Sequence, residues 1–261
     1  MVRIGLGIEY DGSLFHGWQT QQEGVRSVQE ELEKALSKVA ASSVRVQCAG
    51  RTDTGVHGSG QVVHFDTEAF RPPRSWILGG NVNLPYDINI TWAQEMDSEF
   101  HARFSATGRR YRYVIANRFT RSALLSRKAV WVHHALDVER MHEAAQHLVG
   151  THDFSSYRAL GCQAKSAIRE MRSINVTRRG ELIFIDVYAN AFLHHMVRNI
   201  AGVLITIGKG EQSIDWSREV LELRDRTLGG VTAPPQGLYL TEVEYPEQFE
   251  VPDPAPLSLF D

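Results

Sequence analysis

Two cysteines, Cys48 and Cys162, are all that 261 residues contain. They lie far apart with no secretory core ahead of them, so they read as free thiols of a reducing cytoplasm, not as a disulfide framework. No apolar run reaches the roughly 18 residues of a membrane span. Met1-Val2-Arg3-Ile4-Gly5 enters an alternating pattern at once, without a signal-peptide core. His-Glu-x-x-His and Cys-x-x-Cys spacings are missing. His133-His134 and His194-His195 are adjacent pairs whose side chains diverge, so no metal site is expected. A phosphate-binding loop fails too: five residues separate Gly202 from Gly208, and Lys209 is followed by Gly210, not Ser or Thr. That segment closes a helical pattern, where the dipole repels phosphate. No serine sits in a nucleophile elbow. The expectation is a chemistry without metal, nucleotide or other cofactor.

Acidic residues are missing from one long window. Between Phe100 and Leu136 there is no Asp or Glu, although the chain has 31 acids and a net charge of −3. The window holds Arg103, Arg109, Arg110, Arg112, Arg118, Arg121, Arg127 and Lys128, with Tyr111, Tyr113, Phe119 and Trp131 among them. Cations interleaved with aromatics are the footprint of phosphate contact with base stacking. The bland alternative is a solvated face whose acids come from elsewhere in the fold. The length of the window favours a polyanionic partner.

What is present is ordinary for a globular protein: 43% hydrophobic and 23% charged residues. The length suits one large or two smaller domains. Val2–Tyr10 alternates as a strand. Ser27-Val28-Gln29-Glu30 is a capping box opening a helix with Val28, Leu32, Leu36 and Val39 on one face. Val44–Ala49 and Gln61–Phe65 read as strands, Arg74–Gly79 as a short helix after Pro72-Pro73, and Ile88–Gln94 as a strand. This order is β-α-β-β-α-β, a split βαβ unit with a helix-backed antiparallel sheet. The second half has a similar rhythm. Arg110–Ala116 is a strand, and Asp137 caps a helix over Val138–Val149 that Gly150 stops. Ala167–Thr177 and Glu181–Ala189 form a hairpin turned at Arg178-Arg179-Gly180, with Ile183, Ile185 and Val187 on one face. Asn190 caps a long apolar helix, Ala191–Ile207. Trp216–Arg224 is helical and Leu238–Tyr245 is a closing strand. The tail from Val251 to Pro256 is Pro-rich and extended. The expected fold is α/β (α+β), built from subdomains 1–105 and 106–261.

The segment Ala49-Gly50-Arg51-Thr52-Asp53-Thr54-Gly55-Val56-His57-Gly58-Ser59-Gly60 places one carboxylate beside a guanidinium in a loop with four glycines. Strand-like runs on both sides hold it. A surface turn is the plain alternative, because Asp-x-Gly is common in turns. Gly-Arg-Thr-Asp-Thr-Gly-Val-His, however, resembles the signature loop of the TruA family of tRNA pseudouridine synthases. Other segments match that family in order: Glu9-Tyr10-Asp11-Gly12-Ser13, Gly17-Trp18-Gln19, Ser27-Val28-Gln29-Glu30, Phe100–Ala106, Arg110-Tyr111-Arg112-Tyr113, Asn190–Asn199 and Gly237-Leu238-Tyr239-Leu240. Thr54 departs from the more usual Ala.

The resemblance implies isomerisation of uridine to pseudouridine at positions 38, 39 and 40 of the tRNA anticodon arm. It implies a homodimer, no metal and no cofactor, and two ferredoxin-like subdomains around a central antiparallel sheet with the cleft between them. It makes Asp53 the catalytic carboxylate, acting as nucleophile or base. Arg198 becomes its cationic partner, against the plain alternative of a helix-surface salt bridge. Tyr111 stacks on the uracil, where chemistry alone would favour a cross-strand aromatic. Leu238 lines the uracil pocket, or else is simply core. Arg51 joins the Asp53 network or holds a phosphate, and Arg109 and Arg110 contact the RNA backbone. A paired uridine must be flipped to reach such a pocket. A non-catalytic tRNA-binding protein or chaperone using the same basic cleft would need the cations but not Asp53. A metal-dependent hydrolase built on the histidines is a third reading.

Overall fold

The structure is a computed structural model describing residues 1–22 and 24–260. It divides into two compact units, residues 1–107 with 239–261 and residues 108–238. The first unit begins with β1 (Val2–Tyr10), α1 (Val28–Ala40), β2 (Gln47–Cys48), β3 (His57–Thr67), α2 (Pro73–Asn83) and β4 (Ile88–Met96). β1 pairs antiparallel with β3 on one side (Leu6 opposite Val63) and with β4 on the other (Gly5 opposite Gln94). Alternation puts Ile4, Leu6, Ile8 and Tyr10 on one face, where they bury against Val28, Leu32 and Leu36 of α1 and Trp76 of α2. Ser27 accepts a bond from the Glu30 amide, as the capping box requires, and Ala41 ends α1 in a left-handed conformation.

Two expectations need correction here. Val44–Ala49 is mostly not a strand: only Gln47 and Cys48 pair, with His64 and Val63. The Val44 amide donates to Ser37 Oγ and the Val46 amide to Glu33 Oε1, so side chains of α1 take the ladder's place. The helix after the prolines is also longer than expected. It runs through Gly79-Gly80 to Asn83, because Gly80 lets it lie close on β4; a Cβ there would stand 2.3 Å from Ile90 Cδ1.

The second unit holds β5 (Gly108–Asn117), β6 (Val130–Val132), α3 (Val138–Gln146), β7 (Gly150–Asp153), β8 (Ile168–Arg179), β9 (Leu182–Ala189), α4 (Met196–Gly208) and α5 (Trp216–Leu223). Its antiparallel sheet has the order β5-β9-β8-β7, and β6 runs parallel to the end of β5. α4 is apolar nearly all round and accordingly buried. It starts five residues later than its pattern suggests. Asn190 does not cap it: its Oδ1 accepts the Glu170 amide at 3.1 Å, and His195 at φ 61 breaks the helical path. α3 stops at Gln146 because Leu148 and Val149 turn tightly back onto the carbonyls of Ala145 and Gln146. Gly150 then takes φ 112 to enter β7.

The last strand, β10 (Leu238–Glu244), returns to the first unit from Tyr239 onward, pairing parallel with β3 through Tyr239–His57 and Leu240–Gly58. Both units are thus helix-flanked, mainly antiparallel sheets of mixed α/β class. No helix among the described residues is long and apolar enough to cross a membrane. Neither cysteine is in a disulfide.

Candidate active site

The loop between β2 and β3 is held from three sides. The Gln61 side chain brackets Gly50, accepting from its amide at 3.3 Å and donating to its carbonyl at 2.6 Å. Thr52 is buried, with Oγ1 2.8 Å from the Tyr10 hydroxyl and its carbonyl accepting the Trp18 amide at 3.0 Å. The Gly55 amide donates to Phe15 O, and the Val56 amide closes a turn onto Asp53 O at 3.1 Å. Gly55 takes φ 78 at this turn, a conformation that favours glycine. Asp53 therefore stands half-buried on a stiff backbone, with exposed Arg51 and Thr54 flanking it.

The opening motif of the chain is the buttress of this loop. A Cβ on Gly12 would lie 1.9 Å from the Val56 carbonyl oxygen, so segment 11–18 is pressed flush against the Asp53 turn. The Gly12 amide donates to His57 Nδ1 at 3.1 Å, and the buried His57 ring stacks on Tyr239 at 4.5 Å. Sequence reasoning missed the supporting roles of Tyr10, Gln61 and His57. Gly12 and Gly17 in the N-terminal motif were the available signal. Gly12→Ala is expected to force this contact apart at roughly 1–3 kcal/mol. Thermal unfolding should show a loss of roughly 5 °C, together with reduced turnover. An unchanged melting curve would mean that the loop is not buttressed there.

In the second unit, Tyr111 is buried on β5 opposite Val187, its ring edge-on to Phe192 at 5.0 Å. Tyr113 shares its face and donates from its hydroxyl to Pro234 O at 2.7 Å. Burial pushes the Tyr113 phenol far above its ordinary value, and the nearby Arg198 charge opposes that shift in part. Arg198 lies in the first turn of α4 and is clamped by segment 226–234. Its Nε donates to Ala233 O at 2.8 Å, and the Ala233 amide donates back to Arg198 O at 3.1 Å. Asn199 secures that segment: Nδ2 donates to Tyr157 O, while Oδ1 accepts from Arg226 and Thr232. Gly202 leaves room for the Val231 carbonyl, which a Cβ would meet at 1.8 Å. A cation in a helix's first turn, with no acid in that turn, adds to the positive end of the dipole. The arrangement favours an anion. Leu238 is buried at the start of β10.

Arg109 donates to Asn190 O at 3.0 Å, and the Arg110 guanidinium lies 3.7 Å over the Tyr188 ring. The acid-free window is not uniformly without acids in space. Arg112 pairs with Asp186 of β9 at 2.7 Å, and Arg118 with Glu181 at 3.1 Å.

The family described as tRNA pseudouridine synthase matches residues 7–105 and 144–246, and the chain belongs to it. Three relatives show how far the likeness extends, each named tRNA pseudouridine synthase A. That of Pseudomonas aeruginosa is 61% identical over 96% of this chain and 88% of its own length. That of Alcanivorax borkumensis is 58% identical over 97% and 95%. That of Shewanella piezotolerans is 56% identical over the whole of both.

Proposed function

We propose that the chain isomerises uridine to pseudouridine in tRNA, at positions 38, 39 and 40 of the anticodon arm, with Asp53 as the reacting carboxylate. The observation that carries this is the braced glycine loop, which presents one carboxylate on a backbone fixed by Tyr10, Trp18 and Gln61. The reaction breaks the N1–C1′ bond, turns the base, joins C5 to C1′ and moves a proton from C5 to solvent as N1 gains one. It is an isomerisation, so no redox partner or energy source enters. Asp53 supplies negative charge to the nucleotide. Tyr111 stacks on the uracil, its hydroxyl able to handle the late proton transfer. Arg198 supplies a positive charge to face the carboxylate. Leu238 provides an apolar wall and Arg51 a phosphate contact. Residues 1–105 carry Asp53 and Arg51, and residues 106–261 carry Tyr111, Arg198 and Leu238. Incubating unmodified tRNA with the protein and mapping pseudouridine by mass spectrometry tests the reading. Tritium release from C5-labelled uridine separates it from a non-catalytic tRNA-binding protein, which would give none.

The acting species is proposed to be a cytoplasmic homodimer, since a closed two-fold pair is the commonest assembly and sets two basic surfaces side by side. A monomer in sedimentation at micromolar concentration would count against it. Binding is expected to weaken steeply with salt. Neutralising Arg109 or Arg110 should lower affinity for many tRNAs alike and reduce the slope of log K against log salt by about one for each phosphate no longer neutralised. Affinity that ignores salt would remove the RNA reading.

A further inference from the structure

A second feature of the 108–238 unit has the makings of an RNA subsite. A cleft of about 180 Å³ is lined by Ala116, Ser122, Leu125, Ser126 and Ala129, with Arg121, Arg127, Trp131 and Gln236 around them. That is below the roughly 300 Å³ at which drug-sized sites begin, so it suits a single ring system. Trp131 is 45% exposed, and its indole N–H is committed to Arg118 O at 2.9 Å. The ring is thus partly exposed and held in orientation by that bond, which lowers the entropy cost of stacking on it. The exposed His133 ring follows at 5.6 Å; contrary to the divergence expected of adjacent residues, the His134 ring lies only 3.9 Å from that of His133, as His195 lies 4.0 Å from His194, so rings continue along the surface from the indole.

Charge points the same way. Among the described residues, no acid lines the cleft. Unlike Arg112 and Arg118, Arg121 is exposed and pairs with no acid among the described residues. Arg127 is held at φ 63, a conformation costly for any residue bearing a Cβ, by a turn in which the amides of Lys128 and Ala129 both donate to Leu125 O. Glycine would adopt that backbone without strain; arginine there brings a cation to the cleft rim. Strain kept in place by surrounding structure is a common mark of a working site.

We propose that this cleft takes one unpaired base of the tRNA substrate, stacked on Trp131, with the adjoining phosphates against Arg121 and Arg127. The assignment rests on the tRNA substrate proposed above. It adds a docking point for a nucleotide other than the one that reacts.

Binding of single-stranded tetrauridylate to the full chain, followed by tryptophan fluorescence and equilibrium titration, tests it. Trp131→Ala is expected to weaken binding about tenfold, and Trp131→Phe much less, since stacking needs only an aromatic face. Arg121→Glu alters an exposed side chain and leaves the fold in place. It should weaken binding comparably and lower the salt slope by about one or more. Both variants should raise the KM for tRNA. If Trp131→Ala and Arg121→Glu bind tetrauridylate as tightly as the parent, the subsite is overturned, even where the parent makes pseudouridine normally. If polyglutamate displaces tetrauridylate from the parent but not from Arg121→Glu, the cleft is a site for acidic peptide and the proposal also falls. If the parent makes no pseudouridine yet binds tetrauridylate through Trp131, the isomerase reading fails and the subsite stands.

Discussion

Asp53→Asn is expected to abolish pseudouridine formation, lowering kcat by more than about a thousandfold, with the Kd for tRNA within about threefold of the parent. The size of the effect follows from what the substitution removes. Asn has nearly the shape of Asp, and the loop is fixed at several points along its backbone: the Gly50 backbone, the Thr52 hydroxyl and carbonyl, and the Gly55 and Val56 amides. The backbone therefore stays where it is. What goes is the negative charge, and a neutral amide can neither attack nor take a proton at neutral pH. Affinity survives because it is drawn from cations spread over a much larger surface. Single-turnover assays with excess enzyme separate the two quantities. Residual activity within tenfold of the parent would mean that another group performs the chemistry.

How much of this was readable beforehand depends on how local each cause is. The caps at Ser27 and Asp137 were legible because donor and acceptor lie three residues apart, and both bonds form. β1 and β9 were legible because large apolar residues recur at every second position, Ile4, Leu6 and Ile8 in one and Ile183, Ile185 and Val187 in the other. β6 and β7 are three and four residues long, too short to show any period. The start of α4 was misread because Asn190 spends its side chain on β8, a tertiary choice invisible to a capping rule. Val44–Ala49 was misread for a related reason: its apolar residues are buried as a strand's would be, but its amides answer to Ser37 and Glu33.

The same division runs through the candidate site. Asp53 stood out because glycines around a lone acid leave a local mark. Its buttress did not, since Gly12 and Val56 meet only once β1 and β3 are paired. The acid-free window was legible as a run of cations in the sequence. Which cations are matched was hidden in the β5–β9 register, which sets Arg112 opposite Asp186 and Arg110 opposite Tyr188. Apolar neighbours of Arg198 signalled a sheltered setting, but its clamp comes from Ala233, whose place depends on the whole fold of segment 226–234.

Arg198→Met carries the second large effect. It is expected to lower kcat about a hundredfold while the KM for tRNA changes less than about threefold. Methionine fills a comparable volume on α4 but offers neither charge nor donor. Ala233 O loses the Nε bond that ties it to the helix, although the Ala233 amide still holds Arg198 O. The larger consequence is electrostatic. With the cation gone, the reacting carboxylate loses the positive charge proposed to face it. Arg198→Lys keeps the charge without the guanidinium fork, and should recover activity in part. Thermal unfolding of each variant guards against a simple loss of fold. If Arg198→Met instead raises KM and leaves kcat intact, Arg198 is a phosphate contact and its proposed role toward the carboxylate is wrong.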